Sequence, residues 1–270
     1  MCSSDLLRAE EVREFTERAA DLGSFYHAAL EAFVNLARAR GVDWKRFSDE
    51  DARRLADETL PGVIAAHNDG IFLENERLRA TLFLMVGVVR QSAAAIARQM
   101  RAGSFAPVGT EVRFGAGQPF PPIRLELPDG SAALLGGKID RIDGTRVNGR
   151  DCVRIVDYKT GGRDFDFAGV FHGLALQLPL YLAAAAGGRT HAGMYYMPVL
   201  QPVISDAEPD AETAAADAFR LKGLTLSEPE ILRLSQTDLD GESSVLAGVR
   251  FSGGEAKGWC APFDSWARRP

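Results

Sequence analysis

Two stretches decide how this chain is read: Gly137-Lys138-Ile139-Asp140-Arg141-Ile142-Asp143 and, shortly after, Val153-Arg154-Ile155-Val156-Asp157-Tyr158-Lys159. Both are short, rich in Ile and Val, and bounded by turn residues such as Asp-Gly-Thr and Asn-Gly-Arg, which predicts β-strands. Side chains alternate faces along a strand, so Asp157 and Lys159 project from one face with Cα atoms about 7 Å apart. Asp140, one hairpin earlier, can be brought opposite them. Two carboxylates and an ammonium converging on one point suit a hard divalent cation beside a water or phosphate oxygen. That chemistry is the metal-dependent hydrolysis of a phosphodiester.

Each of these residues also has a plainer reading. Asp157-x-Lys159 can be a solvated pair at a strand end. Val153 and Ile155 share its face, however, and a charge closing an apolar face needs a partner or a cation. Asp140 can pair with Lys138 or Arg141. Asp143 precedes Gly144 and is read as a turn former. Glu111 can be a surface residue paired with Arg113, or a further carboxylate near a metal. His27 lies beside the apolar stripe of its helix, packed or exposed, and becomes a ligand if that helix meets the strand ends. Glu31 lies one helical turn further on the same side. Gln177 and Tyr181 share a helix face; they form a buried hydrogen bond or orient the lysine or a nucleic-acid strand.

Working outward, the first hundred residues are predicted helical. Tyr26, Ala29, Leu30, Phe33, Leu36 and Ala37 form a stripe over 24–40 that stops at Gly41. Ser48 and Asp49 cap a second helix, which Pro61 interrupts or restarts. A third helix runs from Asn75 to Ala102. After Gly103 the texture changes to a mostly antiparallel meander of strands at 111–114, 123–127, 132–143 and 153–159, with Pro128-Asp-Gly and Val147-Asn-Gly-Arg as turns. An apolar helix over 170–186 carries Pro179 as a kink or restart, and a fifth strand begins at Gly193. A helix at 227–235 is the one element assigned in the weakly patterned remainder. The division that follows is an N-terminal helical segment (1–103) contributing His27, a core (104–204) and a C-terminal extension (205–270).

The chain has 270 residues, 46% of them hydrophobic, enough for a sizeable core. The net charge of −6 is not the footprint of a general nucleic-acid binder, so any basic surface must be local. Cys2, Cys152 and Cys260 are scattered and no Cys-x-x-Cys occurs, which fits a reducing cytoplasm and speaks against a zinc ribbon or disulfide framework. No secretory signal is read at the N-terminus, and no apolar run of membrane-spanning length, so no membrane partner is expected. There is no phosphate-binding Gly-x-x-x-x-Gly-Lys-Ser/Thr loop and no Gly-x-Ser-x-Gly elbow.

Taken in order, Gly23-Ser-Phe-Tyr-His27-Ala-Ala-Leu-Glu, Glu111-Val-Arg-Phe-Gly, Gly137-Lys-Ile-Asp140-Arg-Ile-Asp, Val156-Asp157-Tyr-Lys159-Thr-Gly and Gln177-Leu-Pro-Leu-Tyr181 resemble the PD-(D/E)XK nuclease superfamily. More closely they resemble the RecB-like nuclease domain at the C-terminal end of AddB-type subunits of bacterial helicase–nucleases, which process double-strand DNA ends. Gly193-Met-Tyr-Tyr-Met-Pro resembles the strand that follows. The likeness runs over about residues 6–235. It implies an α/β fold with a central mixed sheet flanked by helices, and a DNA exonuclease activity used in recombinational repair. It also implies Mg²⁺ or Mn²⁺ held by His27, Asp140, Asp157 and the Tyr158 carbonyl. Lys159 would position or deprotonate the attacking water, Glu111 would be a supporting acidic position, and Gln177 and Tyr181 would flank the site.

DNA, single-stranded or at duplex ends, and a helicase–nuclease partner are what the likeness implies the chain works with. The alternative is a catalytically silent module that binds DNA ends or a partner on the same fold. Relatives of this type usually carry an iron–sulfur cluster, with one Cys before the His helix and three near the C-terminus. Cys260 is solitary and the surroundings of Cys2 do not match, so no cluster is expected. The large upstream helicase-like region is missing too, and the chain reads as an isolated nuclease domain or a stand-alone relative.

Overall fold

A computed structural model describes residues 19–67, 76–161, 164–199 and 216–261. Three helices form one layer: α1 (Ala19–Ala39), α2 (Asp49–Ala66) and α3 (Glu76–Ala102). The stripe of α1 is buried at Tyr26, Ala29, Leu30, Phe33 and Ala37. Gly41 ends the helix with φ 62°, a conformation that costs glycine nothing. The capping box of α2 is closed by Ser48 and Asp51, each accepting from the other's backbone N–H at 3.0 and 3.1 Å. Pro61 does not interrupt α2, which runs through it. The proline sits on the exposed side, where water can satisfy the carbonyl it leaves unpaired. Asn75, the expected start of α3, lies outside the described residues.

The Leu78–Ala102 part of α3 is long and apolar enough to cross a membrane, which corrects the expectation that no such run exists. Half of it is buried in this fold against the other helices and the sheet. At its end Gly103 approaches the C-terminal part of the chain closely. A Cβ there would stand 2.1 Å from the Leu234 carbonyl oxygen.

The strands of the central sheet are β1 (Ala106–Phe114), β4 (Gly137–Val147), β5 (Arg150–Lys159), β6 (Thr190–Pro198), β7 (Lys222–Leu226) and the two-residue β11 (Cys260–Ala261). They lie side by side in the order β1-β4-β5-β6-β7-β11. β1, β4 and β5 are antiparallel neighbours, β5 and β6 run parallel, β7 is antiparallel to β6, and β11 is parallel to β7. The sheet is therefore mixed, as the PD-(D/E)XK likeness implies. The parallel step needs a crossover. It is made by α4 (Phe167–Phe171) and α5 (Gln177–Ala186).

The two faces of β5 separate two cores. Val156 and Tyr158 join the helical layer with Phe25, Leu30 and Phe33. Val153 and Ile155 pack on α5 through Leu178, Leu182 and Ala185. At about 25 cal/mol per Å² of apolar surface, these two faces supply the main favourable energy of the fold.

Three local expectations change. The run 132–143 is not one strand: β2 (Ile123–Glu126) and β3 (Ala132–Leu135) form a separate hairpin, and β4 starts anew at Gly137. There the Phe114 ring would lie 2.7 Å from any Cβ, so the chain can cross only as glycine. The helix over 170–186 is two helices, broken at Gly173 (φ 75°), with Pro179 in the first turn of α5, where its missing N–H costs little. The stretch after 205, read as weakly patterned, supplies β7 and β11 to the sheet. It also supplies a small sheet of β8 (Gly241–Glu242), β9 (Val249–Ser252) and β10 (Glu255–Gly258), while the helix expected at 227–235 forms as α6 (Pro229–Ser235).

Candidate active site

The site lies where β1, β4 and β5 end near α1 and α5. Asp140 is its centre. It falls between paired positions of the ladders: Arg141 pairs with Val156 on one side, and Ile139 with Val112 on the other. Its Oδ2 accepts the Tyr158 N–H at 2.8 Å, so the carboxylate is tied to the next strand instead of to Lys138 or Arg141. Its Oδ1 faces His27 Nδ1 at 3.4 Å. The helical layer thus brings His27 onto the strand ends, which is the condition under which it can ligate.

Glu111 joins from β1 with φ 49°, a left-handed conformation rare outside glycine that costs on the order of 1–3 kcal/mol. Its Oε1 is 3.7 Å from His27 Nδ1, and its other oxygen pairs with Lys138. Arg113, the partner the strand pattern suggested, is not engaged by it. Donor atoms of His27, Glu111 and Asp140 all lie within 4.8 Å of one another. The Tyr158 carbonyl oxygen is 3.1 Å from His27 Nε2. Mixed nitrogen and oxygen donors at this spacing fit a divalent cation with bonds of about 2.0–2.5 Å.

The electrostatics agree with that fit. Burial works against a charge on the His27 ring, yet Asp140 and Glu111 hold its pKa up to about 10. Two carboxylates therefore demand positive charge at this point, and a bound cation would supply it while displacing the proton.

Asp157 and Lys159 extend from the α5 side of β5, on one face as alternation requires. Lys159 Nζ is 2.5 Å from Asp157 Oδ2 and donates to Gln177 Oε1 at 3.1 Å. Gln177 Nε2 donates to Asp157 Oδ1 at 2.7 Å and lies 3.2 Å from the Tyr181 hydroxyl. One amide at the start of α5 thus holds both the acid and the lysine. Burial, then the nearby Asp140 charge, push the Asp157 pKa up to about 6 against the pull of Lys159 and His27. Asp157 stands beside the three-donor cluster of His27, Glu111 and Asp140, outside it. Its Oδ2 is buried and has Lys159 as its cation.

Sequence reasoning gave three residues other or smaller roles than the structure does. Lys138 precedes Asp140 by two and closes the Glu111 side; same-face alternation was the available signal. Glu31 lines the cavity of about 400 Å³ at His27 and Glu111, and burial followed by Glu111 raises its pKa.

The third is Asp143, which is not a turn residue. β4 continues past it to a turn at Asn148 and Gly149, both with positive φ. Asp143 is fully buried between Arg141 and Arg154, which are equally inaccessible. Its Oδ2 accepts from Arg141 Nη2 at 3.2 Å and from Arg154 Nε at 2.9 Å. Arg141 also donates to Gln99 Oε1 at 3.0 Å and to the Tyr158 hydroxyl at 3.4 Å. This network grips the Tyr158 side chain while its peptide groups meet Asp140 and His27.

Comparison with known proteins follows the same outline. Residues 4–248 match the family model described as the PD-(D/E)XK nuclease superfamily. An ATP-dependent helicase/deoxyribonuclease subunit from Desulforudis audaxviator is 35% identical over 87% of this chain and 21% of its own length. The proteins of the same name from Moorella thermoacetica and Geobacillus thermodenitrificans are 32% and 31% identical over 89% and 91% of this chain, each over 22% of its own length. The chain therefore spans roughly a fifth of these relatives.

Proposed function

This chain belongs to the PD-(D/E)XK nuclease superfamily, and on that premise we propose that it is a metal-dependent deoxyribonuclease domain. It hydrolyses phosphodiester bonds in single-stranded DNA, as an exonuclease leaving 5′-phosphates, in the processing of double-strand ends. The relatives' name, which makes each of them one subunit of a helicase/deoxyribonuclease, supports a helicase–nuclease partner. The observation that carries the reading is the Gln177 amide. It binds Asp157 and Lys159 together beside a three-donor cluster fit for a cation.

His27, Asp140 and the Tyr158 carbonyl would hold Mg²⁺ or Mn²⁺, with Glu111 on one side and Asp157 on the other. The cation, when bound, neutralises charge on the scissile phosphate and makes water a better nucleophile. The protein's own groups do the rest. Gln177 fixes the Lys159 ammonium at the edge of the carboxylates, where it orients the attacking water and offsets charge gathering on the phosphate oxygens. Asp157 accepts from Lys159 and from Gln177 and so holds the lysine toward that water. Tyr181 steadies the Gln177 amide. The buried Arg141–Asp143 pair keeps the Tyr158 peptide in register with Asp140 and His27.

The test is cleavage of end-labelled single-stranded DNA with Mg²⁺ or Mn²⁺, with EDTA, and with Lys159→Ala. Metal-dependent cleavage that falls about 10²–10⁴-fold in the variant is expected. A folded wild-type chain that neither cleaves nor takes up metal would overturn the reading in favour of a silent binding module.

A further inference from the structure

Arg113 and Lys138 stand opposite each other across the β1–β4 ladder. Like charges directly opposed in an antiparallel pair destabilise a sheet. Lys138 is compensated by its contact with Glu111. Arg113 is exposed and, among the described residues, has no carboxylate or hydrogen-bond partner. A repulsive pair of this kind is relieved by an anion.

The surface around the pair is shaped to admit one. Lys138 is among the residues lining the cavity of about 400 Å³ at His27 and Glu111. It also lines a second cavity of about 410 Å³, with Arg113, Gly115, Gln118 and Gly137. Each is large enough for a small ligand. Gly115 and Gly117 take positive φ at the turn that follows β1, which leaves the backbone bare on this side. Character changes along the path: carboxylates and imidazole at one end, unneutralised guanidinium at the other.

We propose that the second cavity is a subsite for the phosphodiester backbone next to the scissile bond. Arg113 is its phosphate contact and Lys138 the step between it and the reacting centre. The subsite rests on the nuclease reading and adds to it the route taken by the flanking strand. It also resolves how a chain of net charge −6 holds a polyanion: the cations are placed locally, in line with the cluster.

The experiment uses the full chain. Binding of a fluorescent single-stranded oligonucleotide is followed by anisotropy in EDTA over a salt series, for wild type, Arg113→Ala, Arg113→Glu and the exposed control Arg46→Ala. Steady-state cleavage of the oligonucleotide and of bis(p-nitrophenyl) phosphate, which has no flanking nucleotide, is measured alongside. Arg113→Ala should raise the oligonucleotide Kd and KM about 3- to 10-fold and flatten the log K against log salt slope by about 0.7. Arg113→Glu should do more, and Arg46→Ala should match wild type. The loss should fall on KM more than kcat, and more on the oligonucleotide than on the small diester. Wild-type Kd, KM and salt slope in both Arg113 variants would overturn the subsite while leaving the nuclease standing. Arg113-dependent binding without wild-type cleavage would support the subsite and overturn the nuclease.

Discussion

Asp140 and Asp143 lie three residues apart on β4, both buried, and their surroundings are opposite. Asp143 sits between two buried guanidiniums that hold it from both sides, with more positive charge than negative. Asp140 sits among Glu111, Asp157 and His27, in a cluster with excess carboxylate that opens on a cavity. The first holds its carboxylate between cations inside the core, where it serves the fold. The second gathers carboxylates around a histidine at the edge of a cavity, and on it the proposed cation site rests. Burial and residue type are the same at the two positions; the balance of neighbouring charge distinguishes structure from function.

Breaking the Asp143 cluster should have the largest effect on stability. Asp143→Asn strands two buried arginines, and a loss of about 3–5 kcal/mol is expected in urea denaturation. A variant as stable as wild type would mean the arginines find other partners.

Asp140→Asn should do something different. Wild type at a Mn²⁺ concentration 100 times its Kd gains about 2.7 kcal/mol from binding, read as a rise in melting temperature. The variant should lose that gain, with its metal-free stability much less affected than by Asp143→Asn. Equal metal-induced stabilisation in both proteins would remove Asp140 from the ligand set.

Asp157→Asn should move stability the other way in EDTA at pH 7. A carboxyl whose folded pKa is raised from 3.8 to about 6 contributes stability below pH 3.8 and loses it as pH rises through 6. Above pH 6 its charge is a cost, on the order of 1–3 kcal/mol, which the amide avoids. The variant should therefore melt higher than wild type at pH 7 and show no such advantage near pH 3.5.

The smallest effect sharpens the same comparison. Asp49 also lies between two arginines, Arg98 and Arg101 of α3, but at the surface edge. Burial opposes its charge, yet Arg101 and Arg98 outweigh it and hold its pKa below the usual carboxylate range. A lowered pKa gives stability that is present above about pH 3.8 and lost as pH falls below it. Asp49→Asn should cost about 0.5–1 kcal/mol at pH 7 and progressively less as pH falls below 3.8, by thermal melts over a pH series. A cost like that of Asp143→Asn would show that burial is not what separates the two triads.

What the sequence made legible follows from periodicity. The α1 stripe, the two Ile/Val strands and the shared face of Asp157 and Lys159 were readable because 3.6 and 2.0 repeats fix which side chains sit together. The mixed sheet came from the ordered motifs. The charged core was hidden: Arg141, Asp143 and Arg154 look like solvent-facing positions, since nothing local reveals that each is matched by another strand. Glu111 was legible as an acid, while its left-handed backbone was not. β7 and β11 were missed because strands this short take their stability from the sheet they join, more than from a pattern of their own.

His27 reaches the site from the helical layer on one face of the sheet, while Gln177 and Lys159 approach from the α5 side of the other. Neither face alone assembles it. A chain that has condensed only one of its two cores does not bring these groups together; the constellation exists only where both halves have closed on β5, so the candidate site is also a readout of complete folding.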